Sequence, residues 1–456
     1  MEFKEYMKKF NQIMEPYILP KPWSPVEEAL YKPLNIFDVP KKEADEMRFK
    51  AMKYTFKHHY ENNAFYQKFC KENNVTPDDI KSLDDLVKIP LLEDKFFKDY
   101  PAGNEFALWL ANIFTGKLPN VVINKKNPSF EDVITAFNKA GLIISYSSGT
   151  SGRHTVIPRD KKTWMLSQYA LAKSVVTMVY PFPYWKDNAY VQWLMSNPFK
   201  TNIFAGKIGE VLYHIVKNSD CAIDRQVTAE LIRQAMTGGF KSKIIQMAMK
   251  RENKKTINKL VRWLKERDKN KDLAAMLGAP FLLHFAMNKL EEEGVTLNLE
   301  DRGAIVTGGG WKIYEHERIP VKEFRKRVNE ILGIVENQIL DLYGMVEGNG
   351  FMLHCPEEHL LHVPSTYYQP LVLDKNGEPV DEGEEGRFAF LDALSWSYPS
   401  FVITGDNVKL NGSCSCGRSS ITLEPEVRRA AGEEMRGCAE EMRKMLAVDL
   451  ARDKND

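Results

Sequence analysis

The stretch Ser145–Asp160 reads SYSSGTSGRHTVIPRD, and its positions 147–152 hold only hydroxyl side chains and glycines. It follows the apolar run 142–144 and leads into a second apolar run, 155–158. In such a turn, backbone N–H groups can converge on a phosphate, hydroxyls add donors, and glycines let the chain come close. Because flexible linkers are not usually bounded by apolar runs, we interpret this turn as a phosphate-binding loop. It is not a Walker loop, since GxxxxGK[ST] is absent.

The composition is that of an ordinary globular protein. The 456 residues suffice for two or more folding units, and 43% of them are hydrophobic and 27% charged. With 63 basic and 62 acidic residues the net charge is +1, which gives no global reason to expect a nucleic-acid partner. The basic stretch 241–271 carries apolar residues at helical spacing, so we interpret it as the solvated face of one or two helices.

The sequence also indicates where in the cell the protein lies and what its cysteines do. No window approaches the roughly 20 apolar residues of a membrane span, and the start MEFKEYMKKF does not have the pattern of a signal peptide. We therefore predict a cytoplasmic protein without a membrane span. Four of the six cysteines fall in the last quarter of the chain, which indicates a metal site or a reactive thiol rather than a secreted disulfide framework.

The pattern of apolar segments predicts an α/β protein in three parts. Residues 1–110 are expected to form the helical N-terminal part of the large domain, residues 111–405 its α/β core, and residues 406–456 a short C-terminal segment with a charged helix from about 424 to 451. A hairpin is indicated at Asn376-Gly377. The core alternates the predicted strands 141–146, 189–195, 303–307 and 338–342 with the predicted helices 228–235 and 320–332.

Four later stretches give the phosphate-binding loop a family context: VTGGGWK (306–312), LYGMVEGNG (342–350), YPSFVITGD (398–406) and CSCGR (414–418). Together with SSGTSG they resemble the adenylate-forming enzymes, which include acyl-CoA synthetases, peptide-synthetase adenylation domains and luciferases. The stretch NNAFYQKF…SLDDLVKIPLLEDK is similar to the phenylacetate-CoA ligase branch. TGGGWK, YGMVE, HVP and ALSWSYPSFVITGD together most resemble the acyl-protein synthetase (LuxE) family. The resemblance covers about residues 60–420.

This resemblance implies a fold and a reaction. The fold is an adenylate-forming enzyme fold, with a large N-terminal domain of helix-flanked sheets and a truncated C-terminal segment. In the reaction a carboxylate joins the α-phosphate of ATP, pyrophosphate leaves, and a thiol attacks the resulting acyl-adenylate. The protein's task is positioning and charge neutralisation.

The resemblance also assigns site residues. The loop would cradle the β and γ phosphates through Ser147, Ser148, Gly149, Thr150, Ser151 and Gly152, with Thr150 among the catalytic residues. Backbone at Gly308, Gly309 and Gly310 would pass along the adenosine, although three glycines alone also suit a tight turn. Tyr343, next to Gly344, would stack on adenine. Glu347 would hold Mg²⁺, Asp406 would accept from the ribose hydroxyls, and Arg418 would reach ribose or phosphate.

One expected lysine has no clear counterpart. Most members of the superfamily carry a further C-terminal domain with a lysine that stabilises the adenylation transition state, whereas 38 residues follow Arg418 here. Lys312 and Lys444 are candidates by charge alone. Lys312 is the better one because it adjoins the glycine run.

The clustered cysteines fit a structural metal. Cys355, His362, Cys414 and Cys416 supply three thiolates and one imidazole, a set suited to tetrahedral Zn²⁺, and members of both branches resemble this arrangement. His354 or His359 could replace His362, and the alternative is a group of unlinked, reduced thiols. A closed site with four ligands would join two loops near the ATP site and leave no position for substrate.

Cys438 raises the question of the acyl acceptor. Acyl-protein synthetases pass the acyl group to a cysteine near their own C-terminus, and Cys438 is the one cysteine beyond the CGR motif. On a helix, Glu434 and Glu441 would flank it and disfavour its thiolate, so an ordinary helix cysteine is the alternative. Three functions therefore compete: an acyl-protein synthetase that acts on a fatty or other carboxylic acid with an acyl reductase or acyl carrier as partner, a ligase that uses free CoA, and a non-catalytic nucleotide binder.

Overall fold

The computed structural model describes residues 1–148, 153–225, 239–425 and 427–430, without the side chains of 239–250, 312 and 313. The helices of these ranges are α1 (Phe3–Ile13), α2 (Pro25–Tyr31), α3 (Lys41–Asn62), α4 (Ala64–Glu72), α5 (Asn104–Ile113), α6 (Phe130–Lys139), α7 (Lys161–Met178), α8 (Phe204–Lys207), α9 (Leu212–Ile215), α10 (Gly239–Asn270), α11 (Pro280–Glu292) and α12 (Val321–Leu332). The strands are β1 (Leu92–Glu93), β2 (Ile143–Tyr146), β3 (Val156–Arg159), β4 (Ala189–Ser196), β5 (Asn218–Ile223), β6 (Leu273–Gly278), β7 (Gly303–Gly308), β8 (Ile339–Tyr343), β9 (Met352–His354), β10 (Leu361–His362), β11 (Tyr368–Leu373), β12 (Glu385–Asp392), β13 (Phe401–Asn411), β14 (Thr422–Leu423) and β15 (Arg428–Arg429).

Most strands belong to one mixed sheet. Among the described residues its order is β11-β12-β13-β14-β10-β9-β8-β7-β6-β4-β5, with β1 and β15 both paired to β13. The five strands β5-β4-β6-β7-β8 run parallel, and the path from β8 to β11 is antiparallel. The α/β fold class is confirmed. Ligands of open α/β sheets bind beyond the carboxyl ends of the strands, which here are Gly278, Gly308 and Tyr343.

The parallel part of the sheet lies in the core because its strands are apolar on both faces. Every residue of β6 and of β7 is buried, as expected for parallel strands covered on both sides. Helix α7 covers one face and is itself buried along most of its length. It begins at Asp160, whose carboxylate accepts a hydrogen bond of 2.7 Å from the backbone N–H of Thr163. Asp160 directly follows β3, so this cap fixes how the chain leaves the phosphate-binding hairpin.

The predicted phosphate-binding loop lies between the two strands of a separate hairpin. Strands β2 and β3 pair antiparallel, with Tyr146 opposite Val156. The backbone N–H of Tyr146 donates to the carbonyl of Asn202 over 3.0 Å, which ties the hairpin to the segment after β4. Both strands are largely buried, so the apolar runs that flank the loop in the sequence anchor it in the core.

The N-terminal part joins the same sheet. Residues 1–110 are mostly helical, and β1 lies parallel to β13, with Leu92 opposite Val402. The division predicted at residue 405 falls inside β13, and the following strand β14 continues the sheet. The expected helix from about 424 also begins differently, because β15 pairs with β13 through Asp406 and Asn407. Within the described ranges, no helix combines the length and apolarity needed to cross a membrane.

Candidate active site

The base of the phosphate-binding loop is closed by hydrogen bonds between its two ends. The backbone N–H of Ser147 donates to the carbonyl of Thr155, and the N–H of Thr155 donates to Ser147 Oγ, both over 2.9 Å. His154 Nδ1 lies 2.7 Å from the carbonyl oxygen of Ser147. The hydroxyl of Ser147 therefore links the two ends of the loop. Four predicted loop residues lie outside the described part of the chain: Gly149, Thr150, Ser151 and Gly152.

Glu347 lies buried beside this loop base. It follows β8 in the chain and is 8% exposed, and its Oε1 accepts a hydrogen bond of 2.9 Å from Thr155 Oγ1. Burial raises the pKa of the Glu347 carboxyl, Asp94 adds to the rise, and the positive charge of Lys98 opposes it. A buried carboxylate is costly without a nearby positive charge. Its position therefore suits a hard oxygen ligand for a divalent cation.

An ion pair from the N-terminal part, between Asp94 and Lys98, lies near Glu347. Asp94 directly follows β1, and its carboxylate forms an ion pair with Lys98, one helical turn later. A Cβ placed on Gly405 would lie 3.3 Å from Asp94 Oδ2, so the carboxylate packs against the backbone next to Asp406. The pairing of β1 with β13 is what brings these groups together.

Tyr343 and Asp406 are brought into direct contact. The phenol of Tyr343, at the carboxyl end of β8, donates to Asp406 Oδ2 over 2.7 Å. The other carboxylate oxygen, Oδ1, pairs with Arg429 Nη1 over 3.1 Å, and Arg429 is 71% exposed. The residues expected at adenine and at ribose thus adjoin each other, and an arginine that the motifs did not indicate neutralises the carboxylate.

The glycine run lies at the carboxyl end of β7. Gly309 and Gly310 have φ of 79° and 69°, a left-handed backbone that disfavours other residues. A Cβ on Gly308 would lie 3.1 Å from the carbonyl oxygen of Leu342, so this strand end approaches β8 closely. Gly344 is similarly constrained, because a Cβ there would lie 3.0 Å from the ring of Phe351. The side chain of Lys312 and the whole of Lys444 are outside the described residues.

The predicted cysteine and histidine ligands converge. The ligand atoms of Cys355, His362, Cys414 and Cys416 all lie within 4.8 Å of one another. Cys355 Sγ and Cys414 Sγ are 3.8 Å apart, and Cys416 Sγ lies 3.4 Å from His362 Nε2. With Zn–S about 2.3 Å and Zn–N about 2.0–2.1 Å, a tetrahedral site places two sulfurs about 3.8 Å apart and a sulfur and a nitrogen about 3.6 Å apart. The spacing therefore fits Zn²⁺.

The surroundings of this Cys/His cluster also suit a metal. His362 Nδ1 lies 2.7 Å from Ser420 Oγ, a contact that orients the ring and leaves Nε2 toward the cysteines. Burial lowers the pKa of His362 to about 3 and raises the pKa of the Cys414 thiol to about 12. The imidazole is thus neutral, and a cation is needed to favour the thiolate.

Neither alternative histidine joins the cluster. His354 Nδ1 accepts a hydrogen bond of 3.2 Å from the backbone N–H of Asp341. The ring of His359 packs 6.0 Å from that of His354, and neither ring belongs to the group of convergent ligand atoms. Of the three histidines left open by the sequence, His362 is the one placed to bind.

Arg418 lies beside the cluster. Its Nη1 forms an ion pair of 2.6 Å with Glu357, which follows Cys355 on the neighbouring loop. The guanidinium that contacts Asp406 belongs to Arg429 instead. No contact in the described structure joins Arg418 to Tyr343 or Asp406, so its role at ribose or phosphate stays a prediction. Cys438 is another predicted site residue outside the described ranges.

Sequence reasoning missed several polar residues at this site. Thr155 and Arg159 lie in the opening stretch itself, but their side chains were not assigned a role. Asp94 and Lys98 are spaced like a helical ion pair, the one signal that could have drawn attention to them. Arg429 carries no motif.

Comparison with known proteins finds relatives that match most of the chain. A sequence model of the family "Acyl-protein synthetase, LuxE" matches residues 241–447. The long-chain-fatty-acid–luciferin-component ligase of Aliivibrio fischeri is 24% identical over 411 residues, covering 90% of this chain and 91% of that protein. The phenylacetate-coenzyme A ligase of Thermus thermophilus is 22% identical over 415 residues, covering 88% and 73%.

A solved structure supports the fold. 2-Hydroxyisobutyryl-CoA ligase in complex with 2-HIB-AMP and CoA superimposes with a TM-score of 0.58 at 16% identity, covering 91% of this chain and 73% of that one. The order of motifs in the sequence and these similarities agree with each other. The chain is similar in sequence to the LuxE acyl-protein synthetases and to the phenylacetate-CoA ligases, two branches of the adenylate-forming enzymes.

Proposed function

We propose that this protein is an ATP-dependent acid–thiol ligase, which converts a carboxylic acid to an acyl-adenylate and transfers the acyl group to a thiol. The observation that carries the proposal is the contact between Thr155, at the base of the phosphate-binding loop, and the buried carboxylate of Glu347. A loop of N–H donors beside a carboxylate suits a triphosphate bound with a divalent cation. The similarity to acyl-protein synthetases and fatty-acid ligases supports the same chemistry.

The chain's own residues would bind and orient the nucleotide. Loop residues 147–152 would surround the β and γ phosphates, and Glu347 would hold Mg²⁺, which supplies positive charge to the triphosphate. Asp406 would accept from the ribose hydroxyls while Tyr343, hydrogen-bonded to it, would lie along the adenine. Lys98 is a positive charge close enough to affect the Glu347 carboxyl, and we propose that it faces the phosphates.

We propose an apolar, fatty acid as the substrate class. Two relatives are named for long-chain fatty acids. A void of about 40 Å³ lies between α7 and the parallel strands, and apolar side chains line it, among them Ala275, Leu277, Ala304 and Val306. Because side chains alternate along a strand, Ala304 and Val306 lie on the same face as Gly308. We propose that the acyl chain enters along this face of β7, from the glycine run toward the void.

Substitution within the void tests this acid class. Leu277 of β6 and Ala304 of β7 both line the void. Ala304→Leu would fill the space. We expect pyrophosphate exchange with short acids to persist and exchange with longer acids to fall, and an unchanged chain-length profile would count against the void as the acyl site.

The acceptor is proposed to be a protein thiol, either Cys438 or a cysteine of an acyl reductase or acyl carrier. Incubation with a radiolabelled acid and ATP would leave protein-bound label that hydroxylamine releases and that Cys438→Ala lacks. A soluble, CoA-dependent thioester would instead favour the second candidate, a CoA ligase, which the similarity to phenylacetate-coenzyme A ligase supports.

The Cys/His cluster is proposed to hold a structural Zn²⁺. Its sulfur–sulfur and sulfur–nitrogen spacings support this assignment. The metal would join the loop after β9 to the loop after β13, and Arg418 and Glu357 would pair across the same two loops. With four protein ligands the site would be structural rather than catalytic.

The central test is acid-dependent exchange of pyrophosphate into ATP. We expect exchange with the wild-type protein and a sharp loss in Glu347→Gln and in Asp406→Ala. Matched controls are Glu27→Gln, a buried carboxylate paired with Lys162, and Asp272→Ala, a buried carboxylate paired with Arg267. Wild-type rates in either site variant would refute the site assignment, and absence of exchange with every acid would leave the non-catalytic alternative.

A further inference from the structure

Three consecutive backbone carbonyls around Glu347 are held by side chains from other parts of the chain. Arg159 Nη2 donates to the carbonyl of Val346 over 2.6 Å and to that of Gly348 over 3.2 Å. The carbonyl of Glu347 itself accepts from Tyr398 Oη over 3.0 Å and from Ser400 Oγ over 2.6 Å. The segment is outside the regular strands, so these bonds replace the ladder bonds that a strand would provide.

Arg159 is well placed to fix this segment. It is fully buried, and its remaining donors reach uncharged partners: Nε donates to Asn349 Oδ1 over 3.0 Å and Nη1 to Ser145 Oγ over 2.8 Å. A buried guanidinium is costly unless its donors are satisfied, and here they are satisfied largely by the loop that carries Glu347. The two N–H groups of Nη2 allow this one nitrogen to donate to two carbonyls two residues apart.

The same side chain connects this loop to the phosphate-binding hairpin. Arg159 is the last residue of β3, and Ser145 lies in the partner strand β2. The two strands carry residues 147–152 between them. Arg159 therefore fixes the backbone on both sides of Glu347 relative to the strands that present the phosphate-binding loop.

We propose that Arg159, Tyr398 and Ser400 form a positioning clamp that aims the Glu347 carboxylate at the phosphate-binding loop before nucleotide binds. The clamp sets the peptide planes on either side of the Glu347 Cα and hence the direction of its side chain. Thr155 then holds one carboxylate oxygen. Preorganised ligands bind more tightly because less ordering remains at the moment of binding. The clamp rests on the proposed function, since it assumes that Glu347 holds the cation of a nucleotide.

The clamp is tested by the Mg²⁺ dependence of pyrophosphate exchange. Arg159→Lys keeps the charge but cannot donate to both carbonyls in the same way, and Ser400→Ala removes one donor to the Glu347 carbonyl. We expect the Mg²⁺ concentration for half-maximal exchange to rise about tenfold in Arg159→Lys and about threefold in Ser400→Ala, which corresponds to the loss of one or two hydrogen bonds. The KM for the acid should stay unchanged.

Controls separate positioning from loss of stability. Arg48→Lys alters another buried arginine, which donates to the carbonyl of Ser365 over 2.7 Å, and Ser365→Ala removes a buried hydroxyl that donates to Ile36. Both should lower the Tm without shifting the Mg²⁺ dependence.

Each outcome has a defined meaning. Unshifted Mg²⁺ dependence in Arg159→Lys would overturn the clamp, and if that variant does not fold, unshifted dependence in Ser400→Ala would do so. Equal shifts in Arg48→Lys would overturn it as well, since stability alone would then explain the effect. If the wild-type protein shows no exchange with any acid, the proposed function fails and the clamp fails with it. If the wild type exchanges and the variants match it, the clamp alone fails.

Discussion

Thr155 and Glu347 are 192 positions apart in the chain, and the hydroxyl of one donates to the carboxylate of the other over 2.9 Å. The first follows the phosphate-binding loop and the second follows a strand of the main sheet. This contact fixes the distance between the loop and the candidate metal ligand.

Loss of the Thr155 hydroxyl should therefore impair the ATP-dependent activation of the carboxylic acid. A hydrogen bond to a charged group contributes about 1.5–3 kcal/mol, so we expect Thr155→Val to lower acid-dependent pyrophosphate exchange about tenfold or more. Thr155→Ser should retain most of the rate. Thr55→Val is the control, because Thr55 is equally buried and donates to the carbonyl of Ala393. Equal rates in Thr155→Val and wild type would contradict the prediction.

A second prediction concerns the cation beside Glu347. Lys98 pairs with Asp94 and opposes the rise in the pKa of the Glu347 carboxyl. Without it, negative charge from Asp94 and Glu347 would repel the triphosphate, and we expect Lys98→Met to raise the KM for Mg·ATP at least tenfold. Lys88→Met removes a comparable partner of Asp85, on an exposed turn of the same N-terminal part, and should leave that KM unchanged. Steady-state exchange kinetics at varied ATP would decide between these outcomes.

A third prediction concerns the metal content. Elemental analysis of the purified protein should find about one zinc per chain, because four ligands converge on one point. Cys416→Ser should lose most of the metal and lower the Tm by about 5 °C or more, since a structural metal contributes to folding free energy. Cys221→Ser alters a buried cysteine outside the cluster and should retain full zinc. A metal-free wild type with an unchanged Tm after chelation would refute the zinc site.

The fourth prediction is a pH dependence of stability that arises at Lys173 in α7. This lysine is 1% exposed and donates to the carbonyls of Leu30 and Pro33. Burial lowers its pKa to about 7. Between pH 7 and the ordinary lysine pKa the unfolded chain binds a proton that the folded chain does not. Stability should therefore rise with pH over this interval and fall as the pH drops toward 7.

Urea unfolding at several pH values between 7 and 10 would measure this effect. The free energy of unfolding of the wild type, relative to Lys173→Met, should increase with pH across the interval. Lys326→Met removes a lysine that is 74% exposed and should show no such trend. If the difference in free energy of unfolding between the wild type and Lys173→Met did not change with pH, Lys173 would titrate as an exposed lysine does.

The sequence allowed much of the sheet to be predicted. The strands predicted at 189–195, 303–307 and 338–342 correspond to β4, β7 and β8, because their apolar runs are the buried parallel strands. The helix predicted at 320–332 corresponds to α12, and the basic stretch 241–271 lies in α10 almost throughout, with Leu260 and Leu264 buried. The positions of these strands and helices follow from the hydrophobic periodicity and the turn residues, which are local features of the sequence.

The rest depends on pairings that no local pattern encodes. Arg159 is an arginine after three apolar residues, and only the packing of β3 against the loop at 346–348 makes it a clamp. Asp94 reaches the site through the pairing of β1 with β13, more than 300 positions later. Arg428–Arg429 forms a strand where a helix was expected to continue, because β13 offers an open edge and Asp406 a counter-charge.

The pairing of β15 with β13 also constrains how the protein acquires its binding site during synthesis. The chain leaves the ribosome from its N-terminus, so the hairpin at 143–159 emerges long before Arg429 can reach Asp406. The ion pair between Arg429 and Asp406 therefore forms only after residue 429 has been translated. A nascent chain halted before that residue should lack the counter-charge beside Asp406, however well its earlier strands have folded.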